Sequence, residues 1–228
     1  MRYLLVALTF QLAPAAGQDF ARLRERMVRE EIEARGVRSP EALAAMRAVP
    51  RHLFVPTEFR SSAYEDRPLP IGYGQTISEP AIVGLMTELL VPRRSHRALE
   101  IGTGSGYQAA VLSGLVKQVY TIEIIEALAN AARARLESLD YSNVAVRAGD
   151  GYRGWPEAAP FDRIILTSAP PGVPRALVDQ LKPGGRLVAP IGRLPFDQDL
   201  IVLDKDEVGR IKQRSIIPVR FVPMVPGK

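Results

Sequence analysis

The run Leu99-Glu100-Ile101-Gly102-Thr103-Gly104-Ser105-Gly106-Tyr107 carries the residue types best suited to holding a ligand. Gly102 and Gly104 allow a tight turn and a close approach of backbone to a bound group. An apolar β-type stretch precedes the run and a helical pattern follows it. The run therefore joins a strand to a helix, where ligands lie across the carboxyl ends of the strands in an open α/β sheet. Backbone N–H groups at the helix start favour a polar or anionic ligand group. Two common phosphate binders are excluded. Tyr107 stands where a dinucleotide fingerprint needs Gly or Ala, and no Gly-Lys-Ser/Thr follows the glycines.

Two acids extend the constellation. Glu123 stands 21 residues after Gly102, at the end of the next strand (VYTIE). A carboxylate there can accept both hydroxyls of a ribose; the alternative is a helix-start Glu that opposes the dipole. Asp150, between Gly149 and Gly151, can accept from an adenine amino group, or it belongs to an ordinary turn. Together the three strand ends describe a nucleoside pocket with no phosphate cradle beyond it. That combination suggests S-adenosylmethionine, which has adenosine and a sulfonium but no phosphate. The fourth strand end reads Thr167-Ser168-Ala169-Pro170-Pro171. It lacks the Asp or Asn with which enzymes that methylate base amines hold their substrate.

Composition narrows the chemistry further. The 228 residues include no cysteine, which excludes disulfides, thiolate nucleophiles and Cys-ligated zinc or iron–sulfur clusters. With only His52 and His96 present, no metal site is expected. His52, in the run Val49-Pro50-Arg51-His52-Leu53-Phe54, is read as packed or surface rather than catalytic. Thirty basic against 25 acidic residues give a net charge of +5. The excess is small and spread out. Arg24, Arg26 and Arg29 alternate with Glu25, Glu30 and Glu31, as on a solvated helix face. No nucleic-acid partner is expected.

The elements that must position these residues follow from periodicity. Residues 1–17 (MRYLLVALTFQLAPAAG) have the basic, apolar and small-residue order of a secretory signal peptide and are too short to span a bilayer. A mis-assigned start or a disordered tail are the alternatives. Residues 18–228 form one domain: helices and a loop over 18–95, a ligand-binding core over 96–192, and C-terminal strands over 193–228. Residues 20–35 have helical spacing, and Gly36 ends them. Ser39-Pro40 caps a second helix with Leu43, Met46 and Val49 inward. Residues 64–79 lack periodicity and are expected to be a loop. Pro80 starts a third helix, with Ile82, Leu85, Met86, Leu89 and Leu90 inward. Strands at 97–101, 118–122, 143–147, 163–167 and 186–190 alternate with helices at 107–115, 124–139 and 174–181. That order implies a parallel sheet with helices on both faces. Strands at 200–203 and 216–222 close it as an antiparallel pair.

Several runs resemble one family, the protein-L-isoaspartate O-methyltransferases. They are Leu69-Pro70-Ile71-Gly72-Tyr73-Gly74-Gln75-Thr76-Ile77-Ser78, LEIGTGSGYQAAVL (99–112), GDGYRGWPEAAPFDRIILTSAPP (149–171), LKPGGRLVAPIG (181–192) and VRFVPMV (219–225). The resemblance covers about residues 20–225. It implies a Rossmann-like class I methyltransferase fold: a mostly parallel sheet, an N-terminal helical addition and an antiparallel C-terminal strand. It implies methylation of the free α-carboxylate of L-isoaspartyl residues in damaged proteins, with repair through a succinimide; the alternatives are an S-adenosylmethionine-dependent methyltransferase acting on RNA or a small molecule, and a non-catalytic binding module of the same fold. S-adenosyl-L-methionine is the implied cofactor, and no metal is needed. The partners are isoaspartyl-containing proteins and peptides, not nucleic acid or membrane, and the protein is a monomer. The family habit is cytoplasmic; a cleaved leader would make the protein periplasmic or secreted.

Residue by residue, the resemblance places the active-site serine at Ser78. Thr76 and Ile77 would line the junction of cofactor and substrate, and Val222, on the last strand, would shape the peptide edge. Glu100, Gly102, Thr103, Gly104, Ser105, Gly106, Glu123, Asp150 and Gly151 complete the expected cofactor site. The substrate carboxylate, with a reference pKa of about 3.3–3.7, arrives ionised, so no general base is expected. Glu79 departs from the family pattern of Gln or Ala. It would either cap the helix at Pro80 or face the substrate.

Overall fold

A computed structural model describes residues 19–193 and 197–227. The leader read at residues 1–17 lies outside the described residues.

The first helices form where local signals place them. Asp19 caps α1 (Phe20–Met27) by accepting from the Arg22 N–H at 3.0 Å. The helical path continues through a π-helical turn at Val28–Glu33, and Gly36 ends it with φ of 101°. The Ser39 hydroxyl takes the Ala42 N–H at 3.2 Å and caps α2 (Pro40–Ala48).

Residues 64–79 are not the loop expected. Strands β1 (Leu69–Gly72) and β2 (Gln75–Ile77) pair antiparallel. Between them Tyr73 and Gly74 both take positive φ, 53° and 69°, as a tight hairpin turn demands. Strands this short show no alternation, and Pro70 disguises the first as loop.

Helix α3 (Pro80–Leu90) also turns a different face inward. Met86 and Leu90 are buried as expected, but Ile82, Leu85 and Leu89 are only half-buried. Ala81, Val83, Gly84 and Thr87 are buried instead. The helix is apolar nearly all round, so close approach selects the face. A Cβ on Gly84 would lie 2.7 Å from Ile32 Cγ2.

The sheet contains β3 (Arg97–Ile101), β4 (Gln118–Glu123), β5 (Val144–Ala148), β6 (Phe161–Leu166), β7 (Leu181–Ile191), β8 (Asp199–Lys205) and β9 (Ile211–Pro218). Their spatial order is β5-β4-β3-β6-β7-β8-β9. The first five pair parallel, and β8 and β9 are added antiparallel. Helices α4 (Tyr107–Ser113) and α5 (Glu126–Ser138) cross from β3 outward to β5. Helix α6 (Arg175–Gln180) crosses the other way, from β6 to β7. The chain therefore reverses direction between β3 and β6, which opens a crevice at their carboxyl ends.

Alternation along each strand feeds two apolar layers. Ala98, Ile165, Val188 and Val202 pack with α1 to α4 on one side. Leu99, Ile101, Ile164, Leu166, Leu187 and Leu203 pack with Leu177 and Met224 on the other.

The last strand is displaced from the expected 216–222. It runs over Ile211–Pro218, and Val222 lies beyond it. The Ala169 N–H donates to the Val222 carbonyl at 2.9 Å, and the Met224 N–H donates to the Ala169 carbonyl at 2.8 Å. Pro218 and Pro223 have no N–H for a continued ladder. The chain instead leaves the sheet edge and folds back over the end of β6.

Candidate active site

The turn after β3 is built for close contact. Gly102 has φ of 103°, and a Cβ there would lie 2.4 Å from Thr167 Oγ1 at the end of β6. A Cβ on Gly151 would lie 2.3 Å from Ile101 Cγ2. Most of the turn's N–H groups are already used. Gly102 and Thr103 both donate to the Ile122 carbonyl, at 2.8 and 3.2 Å, and Gly106 donates to the Thr103 carbonyl at 2.8 Å. Gly104 donates to Glu123 Oε2 at 2.8 Å. The turn is thus no cradle for a phosphate, in agreement with the missing phosphate motifs.

Glu123 is only 5% exposed, yet both its oxygens face partners. Oε1 accepts from the Ile125 N–H at 3.1 Å while Oε2 holds Gly104. Each oxygen has a lone pair left, enough for two hydroxyls of one ligand. Glu100 lies deeper. Its Oε2 accepts from the Thr121 hydroxyl at 2.6 Å, and Thr121 in turn meets the Thr103 hydroxyl at 2.7 Å. Its Oε1 is buried without a partner among the described residues. Burial, reinforced by nearby Glu123, pushes the Glu100 carboxyl up to about 8.

These groups line a narrow cleft of about 160 Å³. Of the expected residues, the structure brings Thr76, Ile77, Ser78, Glu100, Gly102, Thr103, Gly104, Ser105, Glu123, Gly151 and Val222 to its walls. Two do not reach it. Gly106 sits at the head of α4 against α5, where a Cβ would lie 3.2 Å from Leu136 Cδ1. The Asp150 carboxylate turns back on its own loop. Its Oδ1 accepts from the Tyr152 N–H at 2.9 Å, and Oδ2 faces Arg153 Nε at 3.8 Å.

A wider recess of about 790 Å³ adjoins the cleft, between the β2–α3 junction and the chain beyond β9. Thr76, Ser78, Thr167, Val222 and Pro223 border both spaces. The Ser78 carbonyl accepts from Arg51 Nη2 at 2.7 Å, while its hydroxyl makes no hydrogen bond among the described residues. Nor does Ser78 cap α3. The Ala81 N–H at that helix start goes to Asp66 Oδ1 at 2.9 Å. Glu79 does not cap it either, and its side chain lines the recess. Burial first, and Asp66 second, raise the Glu79 carboxyl above its ordinary value, against a smaller pull from Arg35.

Arg51 and Asp66 escaped the sequence reading. Arg51 is fully buried, with Nε donating to the Ala63 carbonyl at 2.8 Å and its guanidinium 4.9 Å from the Tyr107 ring centre. His52 is packed as expected. It stacks on Phe20 at 4.0 Å, and its Nδ1 meets the Tyr64 hydroxyl at 2.7 Å. No cluster of metal-ligating side chains occurs among the described residues.

Residues 22–228 match the family described as protein-L-isoaspartate(D-aspartate) O-methyltransferase. The protein-L-isoaspartate O-methyltransferase 1 of Nitrosospira multiformis is 54% identical over 94% of this chain and 92% of its own. A solved protein-L-isoaspartate O-methyltransferase superposes with a TM-score of 0.77 and 30% identity, over 88% of this chain and 65% of that one. A further solved structure, from Plasmodium falciparum and in complex with S-adenosyl-L-homocysteine, has a TM-score of 0.76 at 23% identity. It covers 92% of this chain and 99% of that one, and at this identity shows the fold alone.

Proposed function

The chain belongs to the protein-L-isoaspartate O-methyltransferase family, and from that premise we propose how its residues serve the family's reaction. The protein transfers a methyl group from S-adenosyl-L-methionine to the free α-carboxylate of L-isoaspartyl residues, the first step of their repair. When bound, the cofactor supplies an electrophilic methyl group on a sulfonium.

The narrow cleft fits that cofactor on its own chemistry. Glu123 has lone pairs for two ribose hydroxyls. Glu100 has a buried oxygen, Oε1, left without a partner for a polar ligand group. The spent N–H groups of the glycine turn suit a nucleoside without phosphate. Gly102, Thr103, Gly104, Ser105 and Gly151 would form the floor beside it. Asp150 and Gly106 would act indirectly, by shaping the loops on which these residues sit.

The recess would take the isoaspartyl chain. Ser78 would donate its hydroxyl to the substrate carboxylate and orient it, with Thr76 beside it. Ile77, 4% exposed, would exclude water from the junction. Val222 would shape the opposite wall. No side chain needs to remove a proton, because the substrate carboxylate is ionised at neutral pH. Most of the acceleration would come from placement, which can supply roughly 7–11 kcal/mol of a barrier.

The observation that carries this reading is the shared border of cleft and recess at Thr76, Ser78, Thr167 and Val222. Labelled methyl transfer to an isoaspartyl peptide, with the matched aspartyl peptide as control, tests it. Equal labelling of the two peptides overturns it.

Among the described residues no helix is long and apolar enough to cross a membrane. The methyl donor is made from ATP inside cells, which supports a cytoplasmic site of action. Amino-terminal sequencing of the protein from its native host tests that, since a start near Gln18 would show export.

A further inference from the structure

The α3 start has an unusual division of labour. Glu79 occupies the capping position, with φ of −59° and ψ of 144°, but its side chain makes no capping bond. Asp66 reaches across from the chain before β1 and takes that place through the Ala81 N–H. Glu79 is thereby released from the helix. Its carboxylate is half-buried, lines the recess, and makes no hydrogen bond or ion pair among the described residues. With only the weaker electrostatic pull of Arg35 upon it, the carboxylate keeps its oxygens open to a ligand group in the recess.

The geometry also fixes which group that is. Glu79 follows Ser78 directly, and successive Cα atoms lie about 3.8 Å apart. The substrate carboxylate drawn to Ser78 therefore enters a recess that already holds a second negative charge. Arg220, on the far wall, is the other charged residue that borders the recess among the described residues. Repulsion near Ser78 is relieved when the substrate brings its own cation. A further acid on the substrate adds to it.

We infer that Glu79 selects among isoaspartyl chains by charge, favouring those with a cationic side chain next to the damaged residue. The inference rests on the isoaspartyl reading of the recess and deepens it.

Three synthetic isoaspartyl peptides test it, identical except that lysine, alanine or glutamate flanks the isoaspartyl residue on both sides. A matched aspartyl peptide serves as control. The wild-type protein should prefer the lysine peptide over the glutamate peptide about five- to tenfold in kcat/KM, mostly through KM. In Glu79→Gln, and again in Glu79→Ala, that ratio should fall below about twofold. S-adenosylhomocysteine binding by each variant shows that it is folded. A ratio unchanged in both folded variants, or no preference in the wild type, overturns the inference. Failure of the wild type to methylate any isoaspartyl peptide above the aspartyl control overturns instead the reading on which it rests.

Discussion

At the residue scale Ser78, on the border of the two spaces, is proposed to hold the substrate, and Glu123, in the narrow cleft, the cofactor. The Ser78 carbonyl is held by Arg51, so the hydroxyl is presented from a fixed backbone. Replacing Ser78 with Ala should lower kcat on an isoaspartyl peptide on the order of 10²-fold, the usual cost of losing a positioned donor. Binding of S-adenosylhomocysteine by calorimetry should be nearly unchanged; unaltered turnover would remove Ser78 from the mechanism. Glu123 has the converse profile. Its two oxygens brace the glycine turn through Gly104 and the α5 start through Ile125. In Glu123→Gln the amide must point its NH₂ at one of those N–H donors. Affinity for S-adenosylhomocysteine should fall about 10- to 100-fold, as when a charged hydrogen bond is lost. An affinity within twofold of wild type would show that Glu123 only braces the loop.

At the element scale, helix α3 begins directly after Ser78 and Glu79, and it is pinned at both ends. Asp66 holds its start and pairs with Arg35 at 2.7 Å. At its end Arg186 donates to the Leu89 carbonyl and Arg163 to the Val91 carbonyl, both at 3.1 Å. Asp66→Ala should cost about 1–2 kcal/mol in urea unfolding through the lost cap, and Asp66→Asn, which keeps an acceptor, should cost less. Equal losses would assign the cost to the Arg35 pair. The contrast between caps explains what was legible in the sequence. Ser39 caps the helix that starts at the next residue through an N–H three residues on, and the glycine turn lies between its own strand and helix, so adjacent residues announced them. The Asp66 cap spans 15 residues, the Arg51–Ser78 bond 27, and the Ala169–Val222 pairing joins two distant loops. No local periodicity encodes such contacts. Asp150 was legible from its Gly-Asp-Gly context, but the bond from the Tyr152 N–H that turns its carboxylate toward its own loop was not, although that N–H lies only two residues on.

Stability of the whole molecule should carry the signature of Glu100. Its carboxyl is raised to about 8 by burial, so the folded protein retains a proton that the unfolded chain releases near the ordinary value of 4.5. A group with a raised folded value gives its full stabilisation below the unfolded value and loses it as pH climbs through the folded one. The melting temperature of the ligand-free protein should therefore decline between pH 5 and about 8.5 and level off above that. The decline is worth ~1.4 kcal/mol for each pH unit between the two values, as an upper bound. Other groups titrate in the same interval. His52 and His96 are lowered by burial and act in the opposite sense, while Glu79, raised by burial and Asp66, adds to the decline. The decisive quantity is thus the difference between wild type and Glu100→Gln, in which those contributions cancel. The variant should melt higher than wild type at pH 8.5 and close to it at pH 5. At about 2–4 °C per kcal/mol for a chain of this size, scanning calorimetry resolves that gap. Parallel melting curves across the range would show that Glu100 is ionised in the folded protein, and that its buried oxygen is compensated from within.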